Sequence, residues 1–540
     1  MDEGTSQSHE EWLRFKTKEQ AKYEPHLIET TPELKVPSTA VDVNRFFLSL
    51  QQYQQQTSKS NEILKQNQLR WEQNNLLVMI KQTSSQFNAN NINNAVLPST
   101  LQPIRKQLIV NHRKWNDEYQ SLHSSTAATP FDLKERSNKM QKLVDDFTIF
   151  SQHVAEIIVE EMHETDPQRR QVQPINIGGI HGGVKFRCGE VLFKFARDKH
   201  SLFGGNDELA QKAAANEIRG MNAIIQADLP HLHTTLTALF YIQGHCIIAT
   251  AFAPLQDSQT LVYGSSDGSD TIHKKSGIVP LVQQLAQILN LKPHVVIERS
   301  TQKSFVMDLA VDVEGHVGTD GLYYMVDLAR LFPPRFPRSH LSTDVWWRQF
   351  RPEFMLKCCD ASCRISSDCF TTFGQVSANE HHQDVTRAEV RLHDRQFKLL
   401  VRDLFRLMAA QLSPEIQKHR EELSTQMNEW GQILLDVSRM FHSHGVNISD
   451  MGAVYQSISS PSSLDNAASV KRLLIHIMVA RTVKCLIRQW IRVALESLLT
   501  GSDVVLFVLG QFFSAAETGQ LFWQELVIPA TMVSDFRLID

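Results

Sequence analysis

The stretch DLAVDVEGHVGTDGLYYMVDLARLFPP, residues 308–334, decides the reading of this chain. A glycine-broken segment leads into Asp320-Gly321, an aromatic run follows, and Pro333-Pro334 stops it. An Asp-Gly pair supplies the positive φ that a tight hairpin turn needs. Tyr324, Val326 and Leu328 alternate with Tyr323, Met325 and Asp327, the period of a strand. This spacing predicts Asp327 and Arg330 near the end of a buried strand. A carboxylate there needs a partner; the plainest reading has Asp327 anchoring the loop or pairing with Arg330.

Outward from this hairpin, two more are predicted. One turns at Cys188-Gly189 between VKFR and VLFKF, the other at Gln243-Gly244 between TALFYI and HCIIATAF. Between them a helix is expected over 208–226, capped by Asn206 or Asp207, and a second precedes the third hairpin near 279–290. The fold class is therefore α+β: a mostly antiparallel core over 175–380 flanked by helical regions. Residues 1–40 read as a flexible leader. Residues 41–165 are Gln/Asn-rich with regular apolar insertions and read as helical, most clearly near 101–121 and 131–163. From 385 to 540 the pattern is helical again. Ser413-Pro414-Glu415 starts one helix, Gly445 ends one, and a long helix runs over 467–499. No repeat of solenoid length is visible.

The chain has 540 residues, 42% apolar and 21% charged, with a formal charge of −4. Fibrous and wholly disordered classes are excluded, as is a wholesale basic coat for nucleic acid. Seven cysteines without framework spacing predict a reducing compartment. The acidic N-terminal stretch does not read as a signal or transit peptide, and no apolar run is long enough to span a bilayer. A cytosolic protein is expected.

The 308–334 stretch resembles the Clu domain of the clustered-mitochondria family through Gly318, Asp320, Gly321, Tyr324, Asp327, Leu328, Arg330, Phe332, Pro333 and Pro334. Other blocks are similar in the same order: AANEIRGMNA (214–223), YIQGHCIIATAFAPL (241–255), and VYGSSDG (262–268) with Tyr263, Gly264, Asp267 and Gly268. HSHGVNISDMG (442–452) and MVARTVKCLIR (478–488) extend the resemblance downstream. It implies a non-enzymatic cytosolic protein needed for normal distribution of mitochondria. The implied partners are messenger RNAs for mitochondrial proteins or cytosolic proteins, with no cofactor. The family's ubiquitin-like N-terminal domain and tetratricopeptide array have no counterpart here, so a short form is expected. His444, Val446, Ser449 and Met451 stand where the family tends to have Arg, Ile, Arg and Leu, which removes two fixed charges.

Three other features carry chemistry. A glycine cluster (GGIHGG, 178–183), Lys194, Glu217, Asp312 and Asp327 fall in the order of a phosphotransferase: glycine turn, phosphate-clamping lysine, its glutamate partner, base and magnesium carboxylate. The glycine spacing and the absence of an HRD-like loop place this nucleotide-binding or kinase-like reading second. Cys358, Cys359, Cys363 and Cys369 with His381 and His382 lack paired zinc spacing and read as ordinary reduced cysteines with no metal. In the 467–499 helix, Arg481, Lys484, Arg488 and Arg492 step by three, four and four. They form one basic stripe, a candidate contact for phosphate or an acidic partner.

Overall fold

The computed structural model describes residues 113–125, 129–162, 167–176, 183–337, 343–358, 363–411, 423–458, 464–494, 504–505 and 508–509. Contacts divide the chain into 1–93 and 94–540, and every described residue lies in the second unit. The expected leader, most of the Gln/Asn-rich region and the Ser413-Pro414-Glu415 helix start lie outside the described residues.

The first sheet has the order β1-β2-β3-β6-β5: Pro174–Ile175, Val184–Cys188, Val191–Phe195, His245–Ala251 and Thr237–Ile242. Its β2–β3 and β5–β6 hairpins close because their turns accept left-handed backbone. Gly189 has φ +55°, while Gln243 and Gly244 have φ +47° and +81°. Two successive positive φ values make the two-residue turn that matches strand twist. Alternation in β3 sends Val191, Phe193 and Phe195 to one face and Leu192 and Lys194 to the other. Helices α1 (Trp115–Ser124) and α2 (Pro130–Glu161) cover the apolar face, where Trp115, Phe147, Phe150 and Ile158 pack on Phe186, Phe193 and Ile247. Thr129 and Asp132 form a reciprocal capping box at the start of α2. Helix α3 (Asp207–Ala227) joins β3 to the β5–β6 hairpin by way of the short strand β4 (Leu232–His233), with Asn206 accepting from the backbone of Glu208 and Leu209.

The second sheet has the order β4-β12-β11-β7-β8, adding Tyr323–Val326, Glu314–Val317, Leu261–Gly264 and His273–Lys274. Its β4–β12 pair is parallel and its other pairs are antiparallel. A separate ribbon pairs β9 (His294–Ile297) with β10 (Ser304–Met307). The hairpin at Asp320-Gly321 thus belongs to a different sheet from the other two, and α3 and β4 link the layers. Helix α4 (Val279–Ile288) contributes Val282 and Leu285 to one large core with Tyr263, Met325, Leu328 and Phe332. That core continues without a break into the C-terminal helices α5 (Ala378–Arg391), α6 (Lys398–Gln411), α7 (Leu423–Ser443), α8 (Met451–Ser457) and α9 (Leu464–Ala494). Gly445 follows α7 at φ +69°, and a Cβ there would sit 2.5 Å from Phe354 Cα, so both turn and packing require glycine. The protein is α+β, with open, mostly antiparallel sheets between helical regions. No helix among the described residues is long and apolar enough to cross a membrane.

Candidate functional site

Most residues of the 308–334 stretch and the 262–268 block act as braces. Tyr263 is fully buried, and its hydroxyl accepts from the backbone of Asp308 at 2.9 Å and Leu309 at 3.1 Å. Gly264 runs at φ +92° with Val313 O 2.2 Å from where a Cβ would stand. Asp267 accepts from Ser265 Oγ at 2.8 Å and Thr271 N at 2.9 Å, closing the loop that Gly268 turns at φ +72°. Gly318 leaves room for Asp320 and Tyr324, and Gly321 takes φ +83°. Tyr324 donates to Asp320 Oδ2 at 2.8 Å and accepts from Asn116 of α1 at 3.0 Å; burial pushes its phenol up. Phe332 is buried, and Pro333 O accepts from Phe350 N at 2.9 Å while Pro334 bridges to Gln349.

Of the two readings of Asp327, anchoring the loop or pairing with Arg330, the pair does not form. Asp327 adopts φ +52°, ψ +51°, which ends β12 and starts a 3₁₀ turn over Leu328–Arg330. The turn sends the two side chains apart, leaving Asp327 54% exposed and Arg330 3% exposed. Arg330 donates twice to Asp312 at 2.6 Å and once to Asp368 at 2.8 Å. Asp368 also meets His294 at 2.7 Å and accepts from Val311 N at 2.9 Å. Burial opposes its charge, yet Arg330 and His294 hold the Asp368 carboxyl down at about 2. Arg335, just past the proline stop, is equally buried and pairs with Glu389 at 2.7 Å and with Asp450. The sequence shows no sign of Asp368, Glu389 or Asp450 as partners, because each lies far along the chain in an unremarkable local pattern.

Asp327 faces a different partner. Lys194 Nζ, on the polar face of β3, lies 2.8 Å from Glu217 Oε1 of α3 and 3.4 Å from Asp327 Oδ1. Burial works against the Lys194 charge, but Glu217 and Asp327 outweigh it and hold the ammonium above its ordinary range. Lys185 on β2 stands directly across from Lys194 in register, and burial with that neighbour lowers its ammonium. Three of the residues singled out for phosphotransfer therefore converge, and Asp312 does not join them. The glycine cluster falls outside the described residues except for Gly183, at φ +69°.

Of the cysteine segment, Cys359 and the side chain of Cys358 lie outside the described residues, and the remaining members do not converge. Cys369 is buried, and burial pushes its thiol well up; His381 packs edge-on against His294, with 6.1 Å between ring centres. Among the described residues no cluster of His, Cys, Asp or Glu is arranged to hold a metal ion.

The basic stripe on α9 divides. Arg481 and Lys484 are exposed, and Arg488 is half-buried with its guanidinium 4.1 Å from the centre of the Tyr241 ring. Arg492 turns inward at 8% exposed: it donates to Gly244 O at 2.6 Å and to Glu208 Oε1 at 3.0 Å, and its Nε lies 3.6 Å from Asp207. It docks α9 against the β5–β6 turn and the acidic first turn of α3. Gly244 is also the closest approach, since a Cβ there would sit 2.4 Å from Arg488 O.

Two family models match the chain. Residues 114–336 match "Clustered mitochondria", and residues 435–518 match "Translation initiation factor eIF3 subunit 135". The blocks at 442–452 and 478–488, expected to continue the first resemblance, fall in the second match. Similar curated proteins are named clustered mitochondria protein homologs. The one from Phaeosphaeria nodorum is 26% identical over 229 residues, covering 41% of this chain and 17% of that protein. Those from Coccidioides immitis and Pyricularia oryzae are 27% and 28% identical over the same length and shares. The matched region therefore spans about a sixth of these relatives' length. No solved structure matches the chain. The match begins at α1 and ends with Arg335-Phe336, so it takes in both sheets and every brace described above up to the proline stop. Over these residues, both sheets and the braces between them, the chain is similar to the clustered-mitochondria family model and to the clustered-mitochondria protein homologs.

Proposed function

We propose that this chain is a non-enzymatic, cytoplasmic protein that acts in the distribution of mitochondria by associating with messenger RNAs for mitochondrial proteins. The observation that carries the reading is the pairing, in one chain, of a clustered-mitochondria match with a second match to a translation initiation factor subunit. The second segment contains the exposed cations Arg481 and Lys484 beside half-buried Arg488. Three cations on one helical face at this spacing suit successive phosphates of a single strand. The braces described above supply a rigid base for that face, because Arg492 fixes the end of α9 to α3.

Crosslinking in cells, followed by identification of bound RNA and protein, tests the reading. RNA enriched in messengers for mitochondrial proteins is expected from the unmodified chain. Recovery is expected to drop when Arg481, Lys484 and Arg488 are all replaced by Gln, with clustering of mitochondria as the parallel readout. Recovery of protein partners and no RNA would overturn the RNA part and leave association with protein as the mode of action.

A further inference from the structure

The polar face of the first sheet holds a cluster of charged groups separate from the stripe. Lys185 and Lys194 oppose one another across β2 and β3, and both are largely buried. Like charges directly opposite on a sheet repel. Glu217 of α3 pairs directly with Lys194 and also favours the charge on Lys185, and its position is tightly fixed. Gly220, one turn on, lets α3 approach so closely that a Cβ would lie 2.6 Å from Leu328 O. Leu328 follows Asp327, so the glutamate and the aspartate are held in register by the same helix–turn contact.

Asp327 differs from every other acid of the 308–334 stretch that sits among buried groups. Asp308 meets Lys274 at 3.3 Å, and both oxygens of Asp312 are taken by Arg330. Asp327 instead stands in a left-handed conformation rare for a residue with a side chain, half open to solvent, at 3.4 Å from Lys194. Left-handed strain of this kind persists only where the surrounding structure imposes it, and it collects at ligand sites. A lysine held by a helix glutamate, with a solvent-facing carboxylate beside it, is the set that positions a polyphosphate. The lysine meets phosphate oxygens, the glutamate aims the lysine, and the carboxylate takes one position on a magnesium ion that keeps its remaining ligands from phosphate and water.

We propose that Lys194, Glu217 and Asp327 bind a magnesium-complexed polyphosphate, and that the site holds this ligand without transferring a phosphoryl group. Transfer requires a base to take the acceptor's proton, and the two upstream aspartates are occupied, Asp312 by a bidentate arginine and Asp308 by Lys274. The site stands independently of the RNA reading, since none of its residues lies on α9.

Isothermal titration of the full chain with magnesium ATP, and separately with magnesium tripolyphosphate, tests the proposal. Binding of both probes identifies a polyphosphate site, and binding of ATP alone identifies a nucleotide site. In either case chelation of magnesium abolishes binding. Asp327→Asn, at a half-exposed position, is expected to leave the fold intact and weaken binding at least about tenfold, the loss expected for one charge-assisted contact. Lys194→Met should do the same, and the triple Gln variant of the stripe should bind as the unmodified chain does. Circular dichroism confirms folding of each. No binding of either probe at millimolar concentration to folded protein would overturn the proposal. So would binding that Asp327→Asn leaves unchanged, or binding lost in the stripe variant. Phosphate release above the blank would overturn the absence of transfer.

Discussion

Gly321 and Asp368 show how differently single residues report themselves. Gly321 was legible: an Asp-Gly pair before an aromatic run predicts a positive φ, and the backbone there has φ +83° with no atom near the missing Cβ. Backbone conformation alone thus sets the cost of a side chain, and Gly321→Val is expected to destabilise the protein by ~1–3 kcal/mol. Thermal unfolding checks it; an unchanged melting temperature would show that the turn relaxes freely. Asp368 was not legible, because its partners Arg330 and His294 come together only in the folded chain. Its carboxyl is held at about 2, below the ~3.9 of an unfolded aspartate. The folded state therefore binds the proton less readily, so this contribution is complete above about pH 4 and disappears as pH falls through 2. The shift corresponds to roughly 2–3 kcal/mol. Asp368→Asn is expected to lower stability at neutral pH and to flatten the acid limb between pH 4 and 2, read by urea unfolding across a pH series. An acid limb of unchanged slope would remove Asp368 as its source.

At the scale of elements, local signals gave the turns and caps, and tertiary contacts decided the rest. The Asn206 cap and the Gln243-Gly244 turn follow from neighbouring residues, and both stand where expected. The face of α9 does not follow from its own sequence. Four cations at helical spacing read as one stripe, but the acidic first turn of α3 draws the last of them inward. Helix N-termini favour acids, and those acids then attract a cation from another element. Arg492→Gln is therefore expected to lower the melting temperature by an amount equivalent to about 1–3 kcal/mol, the cost of leaving buried polar groups without their partner. Arg481→Gln and Lys484→Gln, at exposed positions, should each change stability by less than about 0.5 kcal/mol. Equal effects at all three positions would mean that Arg492 does not dock the helix. The reading of Asp327 as a partner of Arg330 failed for a related reason. Strand alternation places residues on faces, but the left-handed backbone at Asp327 broke the alternation and separated the two side chains.

For the whole molecule, the α+β class was legible because the hairpin signals and the helix caps agreed with one another. The division of the hairpins between two sheets was not, since it depends on the parallel β4–β12 pairing between residues about ninety positions apart. The site residues followed the same rule. Lys194, Glu217 and Asp327 were picked out by their order along the chain, and the fold brought those three together while binding Asp312 to Arg330. Arg481, Lys484 and Arg488 on α9 are the residues proposed to meet RNA. Three Gln replacements at Arg481, Lys484 and Arg488 keep good helix propensity and much of each side chain, so the fold should persist. Binding of a fluorescent single-stranded RNA across a salt series reads the claim directly. Each lost phosphate contact removes ~0.7 from the slope of log affinity against log salt, so the triple variant should bind every sequence more weakly with a slope shallower by about two units. An unmodified chain that binds no RNA at low salt, or a variant with the same slope and affinity, would contradict it.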